Sequence, residues 1–236
     1  MQCKSTLKSI AMAALACGVL VNSGYTTRYS IGATQMDVVD LLNVRPVTTL
    51  TGGKLVHWTK GVDRENGYLT ASAAKFNGEA DSKALPDNPM IPADNHHPEI
   101  LLNYKNDDAT GYQARLLDTD TFTFQTFTGK YGDLYICLTS AYGKSELQCT
   151  LLYNDLTEQR NVTVPDWAND VPDNDPDFCY VVHDLPKWSN TGKQTEPNHH
   201  NIHALNLHPN PTHVLKSVSI KNLSKTYLLF WAATGY

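Results

Sequence analysis

The chain has 236 residues and a formal net charge of −5, and only 18 % of its residues are charged. It contains no Lys/Arg-rich stretch, so the electrostatic footprint of a nucleic-acid binder is missing. Thr, Asn, Tyr and Pro are abundant, the palette of strands and turns rather than of helices.

At the N-terminus Lys4 and Lys8 precede an apolar run from Ile10 to Val21, and Val21-Asn22-Ser23 offers small residues where a signal peptidase reads. Residues 1–23 therefore read as a secretory signal peptide, too short to span a membrane. Cys17, in Ala14-Leu15-Ala16-Cys17, offers lipoprotein processing as a variant, although a Leu is expected where Ala14 stands. The expected location is extracytoplasmic, secreted or in the cell envelope, with no membrane span in the mature chain. Residues 24–50 read as an N-terminal extension with weak periodicity and one candidate helix at Met36 to Leu42. Residues 51–236 read as a single domain, long enough to bury a sizeable core.

From Leu55 onward, short apolar stretches alternate with turn clusters. Leu55 to Trp58, Tyr68 to Ser72, Glu99 to Tyr104, Tyr112 to Leu117 and Thr121 to Phe127 read as strands. In Asp133 to Thr139, residues Leu134, Ile136 and Leu138 share one face. In Ser145 to Tyr153, Leu147, Cys149, Leu151 and Tyr153 do the same. Ala141-Tyr-Gly-Lys144 between them predicts a hairpin, and Asn154-Asp155 turns the chain into Glu158 to Val164 as the third strand of a meander. After the polar loop from Asp166 to Asp177, Phe178 to His183 is a strand, and a second long loop runs from Pro186 to His200. Asn201 to His208, His213 to Lys221 and Thr226 to Ala233 close the domain. About eleven strands without helical periodicity between them predict an all-β fold, a single jelly-roll-like antiparallel β-sandwich.

Three cysteines follow the leader: Cys137, Cys149 and Cys179. An odd number leaves at least one free thiol or an intermolecular bond. Cys137 and Cys149 lie symmetrically about Gly143, the expected hairpin tip, and either close a disulfide across two strands or remain buried thiols. The absence of a Cys-x-x-Cys pair disfavours a zinc ribbon or a thioredoxin-type site.

Phe76-Asn-Gly-Glu-Ala, Tyr131-Gly-Asp-Leu-Tyr-Ile-Cys-Leu-Thr-Ser140, Leu151-Leu-Tyr-Asn-Asp155, Val162-Thr-Val-Pro-Asp-Trp167 and Val214-Leu-Lys-Ser-Val-Ser-Ile220 form a pattern over about two thirds of the chain. It resembles the galactose-binding-like jelly-roll domains of secreted bacterial proteins that bind or process glycans. Asn154-Asp155-Leu156 lacks the Gly that such domains tend to carry in the corresponding turn. The resemblance implies a fold, and that fold hosts sugar binders, protein binders and enzyme appendages alike.

Sugar binders stack aromatic rings on pyranose faces and bond the hydroxyls with nearby polar groups. Trp188 is the best platform candidate, because Lys187, Asn190 and Gln194 accompany it in the polar loop. Trp167 and Trp58 also lie beside predicted loops, whereas Trp231, in an apolar strand, reads as core. An indole in such a loop either stands out as a platform or folds back to plug the core. Asp173, Asp175 and Asp177 place carboxylates at alternate positions, as in loops that gather oxygen ligands around a structural calcium; the alternative is a solvated turn. The nine histidines, clustered at His96-His97 and His199-His200-Asn-Ile-His203, include no His-Glu-x-x-His, which disfavours a metalloprotease. Neither a Gly-x-Ser-x-Gly elbow nor a Gly-rich phosphate loop occurs. The leading expectation is a non-catalytic, secreted carbohydrate-binding module. A glycan-directed hydrolase or lyase on a β-sandwich, or an envelope adhesion or structural protein, is the alternative.

Overall fold

Where apolar and polar side chains alternate, one face of a strand lies in water and the other in a core, and several predicted strands form on that basis. The structure, a computed structural model, describes residues 54–57, 61–63, 67–106, 110–117 and 121–235. The expected signal peptide, Cys17, the expected N-terminal extension with its candidate helix, and Trp58 lie outside the described residues. No helix occurs among the described residues, so none is long and apolar enough to cross a membrane.

A seven-stranded sheet runs in the order β1 (Lys54–His57), β5 (Tyr112–Leu117), β13 (Tyr227–Gly235), β7 (Leu134–Ala141), β11 (Gln194–Asn206), β10 (Phe178–Ser189) and β2 (Gly67–Tyr68). A four-stranded sheet has the order β6 (Thr121–Gly129), β12 (Leu215–Asn222), β8 (Ser145–Tyr153) and β9 (Thr157–Val164). The remaining strands, β3 (Met90–Ile91) and β4 (Ile100–Leu101), form a two-stranded ribbon. All pairings between these strands are antiparallel, and the two larger sheets face each other as a sandwich.

Phe122 and Phe124 of β6 meet Phe230 of β13 across the interior, with ring centroids 4.8 and 5.7 Å apart. On the opposite face of β13, Trp231 donates from Nε1 to Thr139 Oγ1 at 2.8 Å and takes the edge of the Tyr104 ring at 6.4 Å. The Asn103 N–H also donates to the Trp231 carbonyl at 3.0 Å. The segment around β4 thus covers the outer face of the larger sheet. Covered on both sides, β7 and β13 are buried at every position. Such strands read as continuous apolar runs, as Leu228-Leu-Phe-Trp-Ala-Ala233 does.

Two sequence expectations require correction. First, β7 and β8 do not pair: β7 lies between β13 and β11, and β8 lies between β12 and β9. Ala141 to Lys144 is a corner that carries the chain from one sheet to the other, with Tyr142 at φ 65° and Gly143 at φ 110°. Two strands facing each other across a sandwich bear the same period-two pattern as two strands of a hairpin, so the pattern does not separate them. Cys137 and Cys149 therefore sit on different sheets, and both are buried free thiols. Burial pushes the Cys149 thiol up to about 12 and raises Cys137 as well. Second, Pro186 to His200 is not a long loop. It belongs to a bulged hairpin of β10 and β11 closed at Asn190 to Lys193.

Candidate functional site

Several register shifts punctuate the β10–β11 hairpin between Tyr180 and Trp188, and bulges of this kind re-aim side chains. They turn Lys187, Glu196, His199 and His200 toward a cleft of about 190 Å³ whose other walls include Asp63, Tyr142 and Trp167. Lys187 and Glu196 are cross-strand partners, and their charges are in contact. The Lys187 ammonium also meets Asp63 Oδ2 at 3.0 Å and lies 5.9 Å from the Trp167 ring centroid. Burial lowers the Lys187 pKa, but hydrogen bonds to Glu196 and Asp63 outweigh it, so the ammonium is held above its ordinary range. The backbone comes very close here. A Cβ on Gly67 would stand 2.6 Å from Lys187 Cδ and 2.7 Å from Asp63 Oδ2, so only glycine fits.

His200 is buried, with its ring edge against Trp167 at 4.3 Å between centroids. Its Nδ1 lies 2.9 Å from the Leu185 carbonyl. A carbonyl only accepts, so Nδ1 carries the hydrogen and a neutral ring leaves Nε2 as an acceptor. Nε2 faces Glu196 Oε2 at 3.3 Å, a contact that becomes an ion pair when the ring takes a second proton. Burial is the largest influence and pulls the His200 pKa down, with the Leu185 carbonyl and Glu196 acting against it.

The aromatic walls are set by the loop and corner beside the hairpin. The Trp167 N–H donates to the Ser140 carbonyl at 2.7 Å, and the Asn201 N–H donates to the Trp167 carbonyl at 2.9 Å. Asp166 accepts from the Gly143 N–H at 2.6 Å and from the Ala168 N–H at 2.9 Å. These bonds pin the corner and the loop together. Tyr142 donates its hydroxyl to the Asp63 carbonyl, yet its residue remains 56 % exposed. Trp167 is 8 % exposed. The site thus combines two aromatic walls, an ordered ion network and two imidazoles.

Of the described residues expected to bind ligand or metal, only Trp167 lines this cleft, joined by Lys187, His199 and His200, which the sequence marked only as a polar neighbour and a histidine cluster. Trp188 is not a platform: it lies in β10, is 0 % exposed and packs on Phe76 with ring centroids 6.0 Å apart. Strand formation by the supposed loop drives its indole into the core. Asn190 is exposed in the β10–β11 turn, outside the cleft. Asp173 and Asp177 are exposed, and Asp175 Oδ1 accepts the Asp177 and Phe178 N–H groups at 2.9 Å each. Among the described residues no three or more His, Cys, Asp or Glu side chains gather as a metal cage. Melting in excess calcium against EDTA tests the calcium expectation at these three aspartates: a calcium-dependent rise in melting temperature supports it, and coincident curves leave a solvated turn.

Sequence reasoning missed Tyr142, Glu196 and Asp63, and saw His200 only as a member of a histidine cluster. The Glu196-to-His200 spacing puts both on one face of a regular strand, but that signal counts only once the segment is known to be a strand. Compared with known proteins, the chain matches no family model and no curated sequence.

Proposed function

We propose that this protein is an exported carbohydrate-binding β-sandwich of the galactose-binding-like kind, with its ligand in the cleft between Tyr142 and Trp167. The observation that carries this reading is the placement of strain. Among the described residues five non-glycine residues adopt left-handed backbone conformations, and two of them, Tyr142 at φ 65° and His199 at φ 77°, line this cleft. A third, Asp184 at φ 60°, lies 3.8 Å from the His199 ring. Such conformations cost on the order of 1–3 kcal/mol each and cluster where geometry is held for a ligand. An exposed phenol face beside fixed polar groups suits a pyranose, one apolar face on the ring and hydroxyls toward the network.

Tyr142→Ala tests the site. It is expected to remove most binding on a glycan array while changing stability by about 1 kcal/mol or less, since most of the ring is in water. Undiminished binding by a folded variant would move the ligand elsewhere. The hydrolase or lyase alternative draws on the same cleft, where Glu196 lies 3.3 Å from the His200 ring and contacts Lys187, a set of titratable groups suited to proton transfer. Reducing or unsaturated ends released from a polysaccharide panel would favour that alternative.

A further inference from the structure

The charges of the cleft are layered. The Lys187 side chain is 12 % exposed and Glu196 49 % exposed, so an incoming ligand meets the carboxylate first and the ammonium behind it. The ammonium is also engaged twice, by Glu196 and by Asp63 at 3.0 Å. An anion entering from the mouth would have to pass the Glu196 carboxylate to reach a cation whose contacts are already made. A cation meets that carboxylate first. Although Glu196 already contacts Lys187 and lies 3.3 Å from His200, Asp63, Glu196 and Lys187 together carry one more negative charge than positive. Beside them the exposed Tyr142 ring presents a π face that attracts positive charge. Asp184 extends the acidic side behind the rim imidazole of His199, although its own carboxylate is partnered by Lys83 at 3.1 Å.

From this layering we infer that the cleft selects amino sugars, glycans carrying a free protonated amine, with Glu196 receiving the ammonium and Tyr142 the adjacent ring face. The inference rests on the carbohydrate-binding reading and narrows it to a chemical class. N-acetylation removes the charge while keeping the ring. A neutral sugar lacks the ammonium, and a uronate presents the wrong sign.

The test is calorimetric titration of the full mature chain with oligosaccharides of matched length: β-1,4-linked glucosamine, N-acetylglucosamine, glucose and galacturonate, at a pH where the sugar amine is protonated. The glucosamine oligomer is expected to bind about tenfold more tightly than the N-acetylated and neutral oligomers, as a charge-assisted hydrogen bond predicts, and galacturonate least of all. Glu196→Gln should bring the glucosamine affinity to that of the neutral oligomer, and added salt should narrow the wild-type preference. Equal or tighter binding of the neutral, acetylated or uronate oligomer by the wild-type chain overturns the inference while leaving the carbohydrate reading in place. Failure of all four to bind, with other glycans also silent on an array, overturns both. The wild-type series decides the matter even where Glu196→Gln is unstable, because it needs no variant.

Discussion

Trp188→Ala is expected to cost about 3–5 kcal/mol of stability, the range for removing a fully buried Trp, and to lower the melting temperature accordingly. The indole is 0 % exposed, stacks at a tilt on Phe76 and sits where β10 meets both β11 and β2. Its Nε1 finds no hydrogen-bond partner among the described residues. Trp188→Phe is therefore expected to be much milder, since it removes an unpaired buried donor along with the volume it loses. Below its melting transition the Phe variant should bind glycan like the wild type, because Trp188 is not among the cleft residues. A Trp188→Ala protein that melts like the wild type but loses glycan binding would restore the exposed-platform reading.

Acidification is expected to weaken the fold through His203. This imidazole is fully buried in β11 between the rings of Tyr180 and Phe178, at 5.7 and 6.5 Å between centroids. Among the described residues neither ring nitrogen finds a partner in good hydrogen-bond geometry, although the Asn169 backbone lies close enough to favour the charged form. Burial pulls its pKa from 6.5 down to about 4; the Asn169 backbone, Asp166 and Asp170 act upward, and His183 acts downward. Because the folded value lies below the unfolded one, the unfolded chain takes up the proton first as pH falls. The contribution is intact above about pH 6.5, is lost progressively toward pH 4, and amounts to about 3 kcal/mol at most. His200, also lowered by burial, acts in the same direction. His203→Leu should flatten the decline of melting temperature over this window. An unchanged slope would show that His203 stays neutral or finds a proton acceptor.

Segments with a single buried face were readable in the sequence. In β8, Leu147, Cys149, Leu151 and Tyr153 are buried as the alternation requires, and Tyr112–Leu117 also forms over the predicted span although both its faces are covered. Sheet membership was not readable, because it depends on which strand lies alongside rather than on the strand's own pattern; β7 and β8 show this. The β10–β11 hairpin was hidden for another reason. Pro186, Asn190, Gly192 and Pro197 carry turn chemistry, yet the two prolines lie within strands there, in a hairpin broken by register shifts of the kind that accommodate proline. Trp167 was visible as an aromatic beside a loop. Glu196 and Asp63 were not, and His200 showed only as one of a histidine cluster, since only the bulged register and the close pass of Gly67 bring them together.

The position of β13 bears on the order of assembly. The strand at residues 227–235 is not an edge added last but a central one, hydrogen-bonded to β5 on one side and β7 on the other. Until these residues have been synthesised, β1 and β5 have no route to the rest of their sheet, and the apolar faces of β5 and β7 stay open. The larger sheet therefore cannot close before residues 227–235 are in place, and a cut that removes them leaves β5 and β7 without the neighbour they share.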